Sequence, residues 1–330
     1  MKRLSRLMIN TLLIFSILSL TACKDRNDGS NSDKDDKIIM GFSQIGAESE
    51  WRTANTESIT ESAKDSGIEL KFADAQQKQE NQIKAIRSFI AQKVDIISFS
   101  PVIETGWDTV LKEAKKDNIP VILTDRAIEA DESLYISLIG SDFVEEGRKA
   151  ANWLIENSED LGLNGSINIA ELQGTVGSAP AIDRKKGFEE VIGKESNYKI
   201  IESQTAGFTR ANGKEVMESF LKSKNKDKIN VLFSHNDDMA LGAIQAIEES
   251  GLKPGEDIVI VSIDAVKGAF EAMIDGKINC TVECNPLLGP QLMEAAKKYL
   301  NGKEIDKRIV VKEGVFPAEI AEDMLPSRKY

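Results

Sequence analysis

Several positions along this chain put polar side chains with planar heads where they could surround a hydroxylated guest. They are Gln44, Glu48, Trp51 and Arg52, then Asp125 and Arg126, Gln173, Asn236 and Asp237, Asp264, and Glu283. Carboxylates accept hydrogen bonds, amides donate and accept, and a guanidinium presents a fixed fork of donors. A sugar offers the converse, a ring of hydroxyls around apolar C–H faces that an indole can cover. The set suits an uncharged polyol. Each member also has an ordinary alternative. Asp125-Arg126 reads as a surface ion pair, Trp51 as core packing and Asn236-Asp237-Asp238 as a helix N-cap. Arg184, on an expected helix, reads as a solvated cation. No single residue decides between these readings; their recurrence at successive strand ends favours a shared cleft.

Catalytic chemistry has little to work with. His235 is the only histidine, and no G-x-S-x-G elbow, Walker loop or H-E-x-x-H is present. Gly174-Thr175-Val176-Gly177 fits a tight strand-to-helix turn better than a phosphate cradle, since it lacks both G-x-G-x-x-G and a P-loop lysine. No catalytic residue, metal or cofactor is expected. Cys280 and Cys284 sit four apart, a span of about 13 Å along a strand at ~3.3 Å per residue. A disulfide needs Cα atoms within about 7 Å, so two buried thiols are expected.

The elements that must position these residues alternate regularly. Short β-branched runs at 38–43, 70–74, 96–100 and 121–123 read as buried strands. So do 135–139, 166–171, 199–204, 231–234, 258–263 and 278–283. Between them lie stretches with apolar residues at helical spacing, such as Ile83, Ile86, Phe89 and Ile90. Strand–helix alternation implies βαβ units and parallel sheets covered on both faces. In such sheets ligands bind beyond the carboxyl ends of the strands, where the polar candidates fall. The units are too numerous for one compact sheet, and the periodicity places a first division near residues 139–142.

At the N-terminus, Lys2, Arg3 and Arg6 precede an uncharged apolar run from Met8 to Leu20. The run is short for a membrane span, which needs ~20 apolar residues, and reads as a secretory signal over 1–22. It ends in Leu20-Thr21-Ala22-Cys23, which resembles the bacterial lipobox and implies acyl chains, such as palmitate, on Cys23. Residues 23–37 hold almost no apolar side chain and read as a flexible tether. The formal net charge is −12 and becomes more negative once the basic leader is removed. That balance argues against nucleic acid, whose binding needs clustered Lys and Arg.

Longer runs carry a resemblance. Gly41-Phe42-Ser43-Gln44-Ile45-Gly46 with Trp51-Arg52-Thr53-Ala54, the stretch DAQQKQENQIKAIR from Asp74, Glu171-Leu172-Gln173-Gly174-Thr175-Val176-Gly177 and Ala181-Ile182-Asp183-Arg184-Lys185-Lys186-Gly187-Phe188 are among them. With Phe208-Thr209-Arg210 and His235-Asn236-Asp237-Asp238-Met239, they resemble the galactofuranose-binding proteins of ABC sugar importers, a branch of the type I, ribose/galactose-type periplasmic binding proteins. The resemblance covers nearly the whole chain beyond the tether. It implies an α/β fold of two Rossmann-like, doubly wound parallel-sheet lobes joined by three crossing segments. The N-terminal lobe would hold 38–140 plus about 284–305 and the C-terminal lobe 141–283 plus about 306–330.

Matched position by position, Glu48, Ser49, Glu50, Trp51 and Arg52 would line the sugar from the first lobe with Asp125 and Arg126. Arg184, Phe208, Asn236 and Asp264 would close from the second, with Glu283 near the hinge. Glu50 stands where the resembled group carries glycine, and the lipobox replaces its plain cleaved signal. The implied role is a monomeric, lipid-anchored extracytoplasmic protein, not an enzyme, that delivers a monosaccharide to the permease subunits of an importer. The sugar would be galactofuranose or another aldose such as galactose, arabinose or ribose. A sugar sensor docking to a chemoreceptor or histidine kinase would carry the same pocket, and an exported glycosidase would need two carboxylates flanking the scissile bond.

Overall fold

Apolar strands alternating with amphipathic helices leave this chain one economical solution, sheets buried between helical layers, and it adopts that solution twice. The computed structural model describes residues 37–330; the signal segment, Cys23 and the rest of the expected tether lie outside the described residues. The first lobe runs β1 (Ile39–Gln44), α1 (Glu50–Asp65), β2 (Glu69–Asp74), α2 (Gln79–Ala91), β3 (Ile96–Phe99), α3 (Asp108–Lys116), β4 (Val121–Thr124) and β5 (Ser137–Gly140). The second begins with α4 (Phe143–Glu156), β6 (Ile167–Gln173), α5 (Ala179–Ile192), β7 (Tyr198–Thr205) and α6 (Arg210–Phe220). It continues with β8 (Val231–Ser234), α7 (Asp237–Glu249), β9 (Val259–Asp264), α8 (Lys267–Ile274) and β10 (Cys280–Glu283). Then follow α9 (Gly289–Leu300), β11 (Arg308–Val310), β12 (Val315–Pro317) and α10 (Ala321–Met324).

The two sheets share one plan. Their orders are β2-β1-β3-β4-β5-β11 and β7-β6-β8-β9-β10-β12, parallel throughout except where β12 pairs antiparallel with β10. Central strands β3, β4, β8 and β9 are buried along their whole length, as both-face coverage requires. The chain reverses strand order between β1 and β3 and again between β6 and β8, creating a crevice at the carboxyl end of each sheet.

Three segments pass between the sheets, after β5, after β10 and between β11 and β12. The third lies at 311–314, later than the expected change near 306, because Arg308–Val310 pairs parallel with β5 at the edge of the first sheet. Only Ile309 of that strand is shielded from solvent, and the β-branched run Ile309-Val310-Val311 is too short to show which sheet it joins.

Met40, Phe42, Ile59, Leu292 and Met293 pack one face of the first sheet, and Phe99, Trp107, Leu111 and Leu123 the other. Each such side chain contributes roughly 1.5–3 kcal/mol of burial. In the second lobe Phe188 stacks on Phe233 with ring centroids 3.9 Å apart. There α4 and α5 touch backbone to backbone, since a Cβ on Gly147 would meet Arg184 O at 2.1 Å and one on Gly187 would meet Val144 O at 1.9 Å. Cys280 and Cys284 are buried free thiols.

Candidate functional site

The first lobe's side of the cleft is built at the start of α1. Ser49 caps that helix, its Oγ accepting from Arg52 N at 3.1 Å, so the first turn aims Trp51 and Arg52 inward. Arg52 is 2% exposed and gathers a network. Its Nη2 donates to Asp125 Oδ2 at 2.7 Å, its Nε to Glu48 Oε1 at 3.1 Å, and its Nη1 lies 3.4 Å from both Gln44 Oε1 and Ser100 Oγ. Burial works against the Arg52 charge, but Asp125 and Glu48 outweigh it and raise its pKa. Asp125, at the end of β4 with φ +64°, is of a residue type that tolerates this left-handed conformation. Arg126 beside it donates to Val102 O at 3.1 Å. Burial, aided by the neighbouring Arg52 charge, lowers its pKa to about 10.

The second lobe supplies the opposing wall. Arg184, on α5, donates from Nε to Glu146 Oε2 at 2.7 Å and from Nη1 to His235 O at 2.5 Å, with Nη2 3.6 Å from Asp264 Oδ1. Its pKa is raised because the hydrogen-bonded Glu146 overcomes the burial that opposes its charge. Phe208 adopts φ +66° and presses its ring on Gly174, where a Cβ would come within 1.8 Å of Phe208 Cζ. Asp264 ends β9 with φ 131°. Its carboxylate accepts no hydrogen bond from the described residues, and burial raises its pKa well above the ordinary value.

These residues meet in one cleft, lined by Glu48, Ser49, Trp51, Arg52, Asp125, Arg126, Arg184, Phe208, Asn236 and Asp264, with Pro180 and Cys284. Trp51 joins the walls: its Nε1 donates to Cys284 O at 2.6 Å and its ring packs with the second lobe's core. Arg126 lies over the Phe208 ring at 5.2 Å. Glu48 Oε2 and Arg126 Nε are buried without a hydrogen-bond partner among the described residues. Unpaired buried polar groups are costly, and a hydroxyl can donate to the first and accept from the second.

Two expected members stand elsewhere. Glu283 does not line the cleft: its Oε1 accepts from Arg328 Nη1 at 3.0 Å and Tyr330 Oη at 2.9 Å, and its Oε2 from Gly314 N at 3.1 Å. The strand alternates faces, so the cleft position is the next residue, Cys284. Glu50 sits outside the lining at a junction between the lobes. Its amide donates to Asp238 Oδ2 at 2.7 Å and its Oε2 lies 3.8 Å from Arg210 Nη2.

The N-cap alternative for 236–238 also holds, since Asn236 Oδ1 accepts from Met239 N at 3.0 Å while the residue lines the cleft. Asp237 is turned away, receiving Ser262 Oγ, Thr281 Oγ1 and Val266 N. Gln44 and Gln173 also stay out of the lining, bonded to Asn55 and Ser203 respectively. His235 accepts from Gly174 N at Nδ1 and faces Glu171 at 3.1 Å through Nε2, a structural pairing. Pro180 and Cys284, which sequence reasoning missed, are apolar or weakly polar and give no chemical signal at a strand or helix end.

A family model for the periplasmic binding protein domain matches residues 40–304. The chain belongs to the periplasmic binding protein family. It is 49% identical over 296 residues to the galactofuranose-binding protein YtfQ of Escherichia coli (strain K12), covering 88% of this chain and 92% of that one. A Mycobacterium smegmatis structure in complex with β-D-fucofuranose is 54% identical, with a TM-score of 0.86 over 89% of this chain and 95% of that one. The binding protein of the arabinose ABC transporter from Shewanella sp. ANA-3, bound to α- and β-L-arabinofuranose, is 54% identical with a TM-score of 0.85, over 88% and 96%. The two-lobed α/β architecture of this chain is that of the type I periplasmic binding proteins.

Proposed function

We propose that this protein is the extracytoplasmic solute-binding component of an ABC sugar importer, and that it closes its two lobes around a monosaccharide in the furanose form. One observation carries the reading. Three guanidinium groups (Arg52, Arg126, Arg184) and three carboxyl groups (Glu48, Asp125, Asp264) face a single cleft with one aromatic ring from each lobe. Donors and acceptors in equal number suit an uncharged, hydroxylated guest. Relatives described with fucofuranose, arabinofuranose and galactofuranose favour a five-membered ring, and galactofuranose is the leading candidate. A guest that bridges both walls stabilises the closed form through its differential contacts.

The same reading makes the chain a binding protein and not an enzyme. Asp125 is committed to Arg52 and Ser100, so a glycosidase pair with Asp264 lacks a free partner. No described helix is long and apolar enough to cross a membrane. Attachment is proposed through acylated Cys23, checked by loss of labelled palmitate from Cys23→Ser. The protein is proposed to act as a monomer.

Calorimetry against galactose, arabinose, ribose, xylose and glucose tests the function, each sugar supplying its own furanose fraction. Binding should be tightest for galactose or arabinose. Arg126→Ala and Asp264→Ala should each weaken it about 10–100-fold, the scale of hydrogen bonds to charged groups. Wild-type titration curves from both variants would place the site elsewhere, and release of free sugar from furanosides would make the chain an enzyme.

A further inference from the structure

Behind Arg184, where the three crossing segments come together, lies a group of acids that sugar contact does not use. Glu313 sits on the third crossing. Its Oε1 accepts from Ser141 Oγ on the first crossing and from Asn285 N on the second, the latter at 2.8 Å. Glu146 reaches the same place from α4. One of its oxygens receives Arg184 Nε at 2.7 Å, while the other, Oε1, is buried with no hydrogen-bond partner among the described residues. An oxygen of Glu146, an oxygen of Glu313 and Cys284 Sγ lie within 4.8 Å of one another. Two carboxylates facing each other this closely repel, and one proton between them removes the repulsion and satisfies the orphaned oxygen.

We propose that Glu313 carries a proton and donates it to Glu146, and that this shared-proton pair clasps the three crossings and holds Arg184 aimed into the cleft. Glu313 is a positioning residue that never touches the guest. The inference rests on the sugar-binding reading of the cleft. The surrounding charges fit it. On α4 stand Glu146 and Lys149, whose Nζ donates to Glu313 O at 2.8 Å. On α5 stands Arg184, at the end of β9 Asp264, and on β11 Arg308, whose Nη2 donates to Ser141 O at 2.5 Å. Glu283 is held by Arg328 and Tyr330, and burial keeps the Cys284 thiol protonated. Burial and the adjacent Glu146 push Glu313 up to about 9. Its raised value means that the clasp is complete at low pH and lost as pH rises through about 9. Above that, a second carboxylate competes with the cleft for Arg184.

Two measurements test this. In sugar-free protein at about pH 7.5, the infrared difference between wild type and Glu313→Gln should show a protonated carboxyl band from Glu313, retained when Cys284→Ala is the parent, while the band of the buried Asp264 is common to all and cancels. Sugar affinity should fall about tenfold in wild type between about pH 7.5 and 9.5, tenfold being one pKa unit of differential interaction. Glu313→Gln, whose amide can donate to Glu146 as the acid would, should bind like wild type at the lower pH and lose less than about twofold over the same window. Loss from Arg126 titration is common to both proteins and cancels in their comparison. The absence of the band, or parallel pH profiles, overturns the proposal. A thermal upshift with Zn2+ in wild type but not in Glu313→Gln would also overturn it, making the cluster a metal centre. If no sugar binds, the importer reading fails while the band still decides whether the proton is shared.

Discussion

The two walls of the cleft reach similar chemistry by different means. On the first lobe the charges hold one another: Arg52 joins Glu48, Asp125, Gln44 and Ser100 in one buried network. On the second lobe the groups are set by backbone and by what lies behind them. Phe208 and Asp264 occupy positive-φ conformations that cost of order 1–3 kcal/mol each. The turn after Asp264 is held by Thr281 Oγ1, which receives Ala265 N at 3.1 Å, and by Arg328 donating to Ala265 O at 2.9 Å. The first wall is therefore sensitive to loss of a partner, and the second to a change of shape.

The largest effect should come from breaking the first network. Arg52→Ala strips Glu48 and Asp125 of their hydrogen-bonded counter-ion and leaves only Arg126, 3.7 Å from each; removal of one member of a buried ion pair typically costs about 3–5 kcal/mol. Urea unfolding should show that loss, with sugar binding abolished. If stability falls by under about 1 kcal/mol, the network is solvated and the contrast between the walls fails. Gly174→Ala tests the second wall. The added methyl displaces the Phe208 ring, at an overpacking cost of about 1–3 kcal/mol, and affinity should drop more than stability does. A variant that binds normally would show that Phe208 is free to move.

Smallest is Glu50→Ala at the junction between the lobes. Both Glu50 and Arg210 are about 40% exposed or more, at 39% and 46%, and exposed pairs are worth about 0–1 kcal/mol. Affinity should change by less than about fivefold. A larger loss would mean that the rim, not the walls, governs closure.

The sequence made the lobed architecture legible because alternating strands and helices are local patterns that tertiary packing reinforces. Every expected strand overlaps an observed one. The third crossing escaped because β11 is three residues of mostly exposed edge, and its β-branched run does not say that its partner is β5, some 170 positions earlier. Among cleft residues, charged and aromatic side chains at strand ends and in helix first turns were readable from type and position. Glu283 was not, since the face a strand's last residue presents depends on where pairing stops, and one residue's difference exchanges Glu283 for Cys284. The roles of Glu146 and Glu313 depend on contacts 167 positions apart in sequence, which no local pattern encodes.

The glycine seam between α4 and α5 has a mechanical consequence. With Gly147 against Arg184 O and Gly187 against Val144 O, these helices interlock backbone to backbone, and a shift of one must be followed by the other. Arg184 and its anchor Glu146 thus ride on one stiff lever whose fulcrum is the crossing segments. A turn at the crossing therefore re-aims the cleft guanidinium, and substitutions along the seam should alter both together.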